Sequence, residues 1–318
     1  HVNILYKNKL KLYLAPKIIN MKKVFIVSFF ISIAFLLMGC PADDAPTATP
    51  PRPYADVYPE DIAKIEDFLD THYITYDTNF NVTFHEIEEG GTETPIANMP
   101  ELLSKDINLH KITYKLYYLN LRQGVNEQPS RVDSVYVSYR GELLNGTKVD
   151  EAITPTWFKL DEVIRGWSEM MPKFRTGSIP GYSDFGVGVM FLPSGLAYYN
   201  SATGNIPSYS PLIFKFNLYH LRYRDHDFDK ILSKYEVGGD SDFIDTNDDG
   251  LPEFKDSDDD NIPDYLDVDD DGDGKLTKGE IETAAGSGVY FSWDNIPDCA
   301  NDVTNPNRIR RHLDSSCR

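Results

Sequence analysis

Val163-Ile164-Arg165-Gly166-Trp167 opens the one good helical stretch, Glu162 to Met171, in a region otherwise made of strand-like runs. Upstream, Val135-Tyr136-Val137-Ser138-Tyr139 alternates as a half-buried strand does, and Ile112 to Leu121 is rich in Tyr and Leu. Downstream, Leu212 to Leu221 reads as a final apolar strand. One short helix against an antiparallel sheet is an α+β layout.

Around that run the chain carries, in order, Tyr139, Gly141, Asp150, the helical run itself, Ala197-Tyr198, Ile206-Pro207 and Phe214. The series resembles the FKBP-type peptidyl-prolyl cis-trans isomerases and covers about one third of the chain. The resemblance implies an FKBP-like antiparallel sheet wrapped on one short helix. It also implies a proline pocket with Trp167 as floor, Tyr139, Val163, Ile164, Ile206 and Phe214 as walls, and Tyr198 as polar tip. The resemblance further implies that the backbone N–H of Ile164 and the hydroxyl of Tyr198 hold the substrate carbonyls, and that Asp150 orients Tyr139 and polarises the twisting imide. No nucleophile or cofactor is needed, because rotation about X-Pro is opposed only by roughly 18–20 kcal/mol of amide resonance. A dry aromatic cavity favours the twisted, less polar amide over the planar one.

Two positions and one insertion depart from the family pattern. Val149 and Thr156 stand where pocket aromatics are expected, and Ile179-Pro180-Gly181-Tyr182-Ser183-Asp184-Phe185-Gly186 is an insertion expected to lengthen a flap near the pocket. The expected function is a folding helper acting on proline-containing polypeptides. The alternative is an FKBP-fold surface module that binds such segments without turnover.

Pro59 is expected to open an amphipathic helix with Ile62, Ile65, Phe68 and Leu69 on one face. At the start of the chain, Met21-Lys22-Lys23, an apolar run to Met38 and then Gly39-Cys40 read as a secretory signal too short to span a bilayer comfortably. Leu37-Met38-Gly39-Cys40 resembles a bacterial lipobox, which implies lipidation at Cys40 and an outer-membrane lipoprotein facing the periplasm or the cell surface. Pro41-Ala42-Asp43-Asp44 resembles the acidic export signals of surface lipoproteins in Bacteroidetes. Cys299 and Cys317 are then left to pair in an exported chain, with free thiols the alternative.

The expected organisation is residues 1–20 ahead of the true start, a signal at 21–39, a tether at 40–58 and an N-terminal segment at 59–111. The isomerase-like domain follows at 112–225, then a linker at 226–239, a calcium tract at 240–282 and a tail at 283–318.

The net charge of −19 is concentrated: Asp240 to Glu282 holds eighteen Asp and Glu against three Lys. Such density suits a disordered acidic linker, but the spacing argues for cation loops. Asp269, Asp271, Asp273, Gly274, Lys275 and Glu280 follow the twelve-residue calcium pattern, in which alternate side chains and the Lys275 carbonyl reach one ion and Glu280 closes it bidentately. The same spacing recurs in Asp256, Asp258, Asp260, Asp264 and Asp267, and in Asp245, Asn247, Asp249, Glu253 and Asp256. Shared ends leave no room for flanking helices, so the tract resembles thrombospondin type 3 repeats. Oxygen-only donors favour calcium over zinc or copper. An acidic chain without a basic stripe, a phosphate loop or a hydrolase triad points away from nucleic acid, nucleotide and hydrolytic roles.

Overall fold

The computed structural model describes residues 50–239 and 254–317. Cys40, the signal, and the loop positions Asp245, Asn247, Asp249 and Glu253 lie outside them. No helix among the described residues is long and apolar enough to cross a membrane.

The sheet is built from the alternating runs. Strands β3 (Leu102–Leu109), β4 (Ile112–Arg122), β5 (Ser134–Leu143), β6 (Lys148–Lys159), β7 (Gly186–Leu192) and β8 (Leu212–Arg222) form six antiparallel neighbours in the order β3-β4-β7-β8-β5-β6. A separate hairpin of β1 (His72–Tyr76) and β2 (Val82–Glu86) precedes them. Since β3 is an edge strand of the same sheet, the sheet begins about ten residues before the expected boundary at 112.

Both faces of the sheet are covered. On one side, Val135, Val137, Phe214 and Phe216 pack with Trp167, Met170 and Met171 of the short helix α2 (Arg165–Met170) and the turn after it. That helix is shorter than the expected 162–171, because Ile164 is already the extended residue before the first turn and Pro172 follows. On the other side, Leu119, Val189, Phe191 and Ile213 meet Ile65, Phe68 and Leu69 of a longer helix, α1 (Tyr54–Thr71).

Helix α1 corrects two expectations. It begins at Tyr54, so Pro59 lies inside it and the expected tether 40–58 ends in helix. The extra turn is held from outside: Tyr54 stacks between His110 and Tyr199, at 3.5 and 3.9 Å between ring centres, and the Tyr58 hydroxyl accepts from the Lys115 amide at 2.8 Å. Those contacts offset the backbone bond that proline cannot make.

The expected linker 226–239 is also packed. Ile231 sits in a small core with Ile281 and Ile296, and Val237 in another with Val132 and Tyr265, so this segment ties the tail to the sheet. A short helix α3 (Thr277–Glu280) closes the third calcium-type loop, and Cys299 and Cys317 are joined as a disulfide with Cα atoms 5.1 Å apart.

Candidate functional site

The aromatic constellation converges where β5, β6, β8 and α2 meet. Trp167 is 5% exposed; its ring lies edge-on to Tyr139 at 5.3 Å and to Phe214 at 5.5 Å between centres. Gly141 permits this approach, because a Cβ there would come within 2.7 Å of the Phe214 ring. Val163, Ile164, Ala197, Tyr198 and Val149 are half-buried against the same cluster, and Ile206 is buried in it. The Ile206 and Thr203 backbones bond reciprocally, which holds the loop bearing Ile206 in a tight turn.

The polar groups sit at the mouth. The Tyr139 hydroxyl donates to Asp150 Oδ2, while Asp150 Oδ1 accepts from the Glu151 amide at 2.8 Å. Burial, and then the bond to Asp150, push the Tyr139 phenol well above its ordinary value. Burial and the Asp150 charge raise Tyr198 as well. Both hydroxyls therefore remain protonated donors at neutral pH. Among the described residues the Ile164 amide meets no backbone acceptor, while its carbonyl accepts from the Trp167 amide at 2.9 Å.

Phe158 is the wall that sequence reading missed. Its ring lies 5.6 Å from Tyr139 and 6.0 Å from Trp167, so an aromatic occupies the side where Thr156 had suggested a gap. Thr156 is paired with Val137 one residue before a register shift to Tyr139 and Ala152, and that bulge obscures the position from spacing alone. Val149 remains an aliphatic substitution at the rim.

The insertion 179–186 is not a pocket flap. Tyr182 packs toward Tyr136 and His220, at 6.2 and 5.6 Å, and those side chains lie on the sheet face opposite Trp167. That outer face also carries an open cleft of about 650 Å³ lined by Arg140, Glu142, Lys215 and Asn217, which only Tyr139 of the aromatic constellation borders.

In the tail, one carboxylate oxygen each of Asp256, Asp258 and Asp260 come within 4.8 Å of one another, and so do those of Asp269, Asp271 and Asp273. The turns are alike: Asp260 Oδ1 accepts from the Ile262 amide at 2.7 Å and Asp273 Oδ1 from the Lys275 amide at 2.8 Å. Glu280 has a buried oxygen without a hydrogen-bond partner among the described residues, and burial with Asp271 and Asp273 nearby pushes it up to about 7. Asp264 is differently engaged, accepting from Lys255, Ser257 Oγ and the Ser257 amide, and Asp267 Oδ1 accepts from the Asp269 amide.

Comparison with known proteins matches residues 125–219 to the family described as FKBP-type peptidyl-prolyl cis-trans isomerase, and residues 226–306 to the family described as BamM C-terminal. The chain is 35% identical over 106 residues to the FKBP-type peptidyl-prolyl cis-trans isomerase FkpA of Aeromonas hydrophila, covering 32% of this chain and 37% of that one. It is 34% identical over 107 residues to the outer membrane protein MIP of Legionella longbeachae, covering 32% and 42%. The crystal structure of FkpA from Escherichia coli aligns with a TM-score of 0.34 at 21% identity, covering 65% of this chain and 74% of that one. The chain thus spans less than half the length of the two curated relatives. The match over 125–219 contains the whole constellation from Tyr139 to Phe214, and over that stretch the chain is similar to the FKBP-type peptidyl-prolyl cis-trans isomerases.

Proposed function

We propose that the chain is a peptidyl-prolyl cis-trans isomerase acting on proline-containing polypeptides outside the cytoplasm, tethered to a membrane by a lipid on Cys40. The observation that carries the reading is the closed aromatic box of Tyr139, Phe158, Trp167 and Phe214 with Tyr198 and Asp150 at its mouth. A proline ring seated on Trp167 leaves its preceding amide among few water molecules, where the twisted form loses less solvation than the planar one. The Ile164 amide and the Tyr198 hydroxyl hold the flanking carbonyls, and Asp150 fixes the Tyr139 hydroxyl. No covalent step occurs.

The envelope setting is supported by the lipobox-like Leu37-Met38-Gly39-Cys40 and by a relative named as an outer membrane protein. Calcium in the loops at 256–267 and 269–280 is supported by the convergence of their carboxylates, and such ions would stiffen the tail as a spacer. Val149, aliphatic at the rim, favours a second reading in which the pocket binds without turnover.

The deciding experiment is NMR exchange on a proline tetrapeptide with the intact chain. Accelerated cis/trans exchange supports catalysis; line shifts that report binding, without acceleration, establish the second reading instead.

A further inference from the structure

The segment 225–236 has the spacing of a calcium-type loop, with lysine at the place where glycine is the ordinary signal. Asp225, Asp227, Asp229 and Glu236 occupy the first, third, fifth and twelfth places of the calcium-loop spacing, with Ile231 at the seventh, where a backbone carbonyl serves. The sixth place, where the turn calls for glycine, is Lys230. Its φ is 89°, the same left-handed value as Gly274 at the sixth place of the third loop. The backbone follows: Asp227 Oδ1 accepts from the Asp229 amide at 3.2 Å and Asp229 Oδ1 from the Ile231 amide at 2.7 Å, as Asp271 and Asp273 do at 3.2 and 2.8 Å.

Loop geometry alone could be a coincidence of turns; the buried charges are the independent observation. Glu236 is 2% exposed, and both its oxygens lie buried with no hydrogen-bond partner among the described residues. Asp270, 1% exposed, enters from the third loop in the same state, and Asp229 and Asp227 each add one such oxygen. One oxygen from each of Asp227, Asp229, Glu236 and Asp270 lies within 4.8 Å of the others. Among the described residues no lysine or arginine pairs with them; His312, itself fully buried, comes within 3.9 Å of Asp270. Three buried carboxylates and a half-buried fourth, brought together without a counter-charge, are strongly unfavourable.

We propose that Asp225, Asp227, Asp229, Glu236 and Asp270 hold a divalent calcium ion. The donors are all oxygens, five carboxylates and the Ile231 carbonyl, which suits a hard ion of flexible coordination better than magnesium or zinc. Asp270 lies between two ligand positions of the third loop without being one of them, so this ion clamps that loop to the segment leaving the sheet. The site stands on its own residues and does not require the loops at 256–280 to bind.

The test is the number of calcium ions bound by the intact chain, counted by native mass spectrometry, with melting temperature followed in calcium and in chelator. Glu236→Gln is expected to lose one ion and most of the calcium-dependent gain in melting temperature. In chelator it melts at or above the unsubstituted chain, because it removes an unpaired buried carboxylate. Asp227→Asn, half-buried and isosteric, guards against a folding defect and is expected to lose the same ion. An unchanged ion count in both variants overturns the proposal. Glu280→Gln separates the readings: an ion lost there but not with Glu236→Gln supports the third loop alone, and the reverse supports this site alone.

Discussion

Tyr198 is the cleanest probe of the pocket, because it is half-buried at the rim whereas Trp167 is part of the core. Tyr198→Phe and Asp150→Ala are each expected to slow exchange about tenfold, or roughly 1.4 kcal/mol of transition-state stabilisation, with the fold intact by circular dichroism. Trp167→Ala removes the floor but also leaves a cavity costing about 3–5 kcal/mol, so its lost turnover counts only if the melting temperature shows a folded chain. The raised phenols add a pH expectation. Since burial holds Tyr139 and Tyr198 above the ordinary value of 10.0, neither ionises at moderately alkaline pH, and exchange catalysis stays flat from pH 7 to pH 9. A fall of turnover within that range, in a folded chain, argues that one of these hydroxyls titrates early and is not the buried donor described here.

At the scale of elements, α2 is fastened by charge. Glu169, 1% exposed, pairs with Arg165 at 2.7 Å, with Lys105 of β3 at 2.6 Å and with Arg131 at 3.2 Å. Burial alone would raise the carboxyl, but Arg165, Lys105 and Arg131 outweigh it and hold Glu169 down to about 2 from 4.5. A depressed carboxyl stabilises the fold fully above the unfolded value and loses that contribution as pH falls through the folded one. Acid titration should therefore remove on the order of 3 kcal/mol between pH 4.5 and about 2. Glu169→Gln should remove a similar amount at pH 7, since it leaves three cations around a neutral amide. Equal denaturation midpoints for the two chains at pH 7 would count against this network. Helix α1 is joined to the turn ahead of Tyr198 by Asp61, which is buried and accepts from the Ser194 amide at 2.8 Å and from Ser194 Oγ at 2.5 Å. Ser194 opens the turn that leads to Tyr198. Asp61→Ala is expected to cost about 2–3 kcal/mol by leaving buried donors unpaired, and to raise KM as the Tyr198 loop loosens.

Across the whole molecule, the tail is joined to the sheet through small cores and carries its own acidic excess. Val132 with Val237 and Tyr265, and Ile231 with Ile281 and Ile296, are thin compared with the core around Trp167. Repulsion among the carboxylates of 254–282 is therefore expected to open that segment when cations are withdrawn. Limited proteolysis in chelator should cut within 254–282 while the sheet survives, and calcium at about 0.1–1 mM should protect it where magnesium does not. Identical cleavage patterns with and without calcium would leave the acidic stretch without a metal-binding role. After such a cut the disulfide keeps only the Cys299–Cys317 loop closed, and in the chain-entropy model that constraint contributes about 3 kcal/mol.

Patterns confined to a short stretch were legible in the sequence itself. The period-two strands Val135–Tyr139 and Leu212–Leu221, the run from Val163 to Trp167 and the convergence of the alternating aspartates of 256–273 each follow from local spacing, because strand faces and tight turns depend on a few neighbouring residues. Three features were decided by tertiary structure. Phe158 reached the pocket through a bulge that shifts the register of β6 against β5, which no count of residues reveals. Helix α1 starts ahead of Pro59 because Tyr54 and Tyr58 find partners on Tyr199, His110 and Lys115, far away in sequence. The acidic cluster of 225–236 was hidden twice, first by Lys230 at a turn position where glycine is the ordinary signal, and then by Asp270, which arrives from another loop. In each case the deciding energy comes from groups brought together by packing, and packing partners distant along the chain leave no periodicity to read.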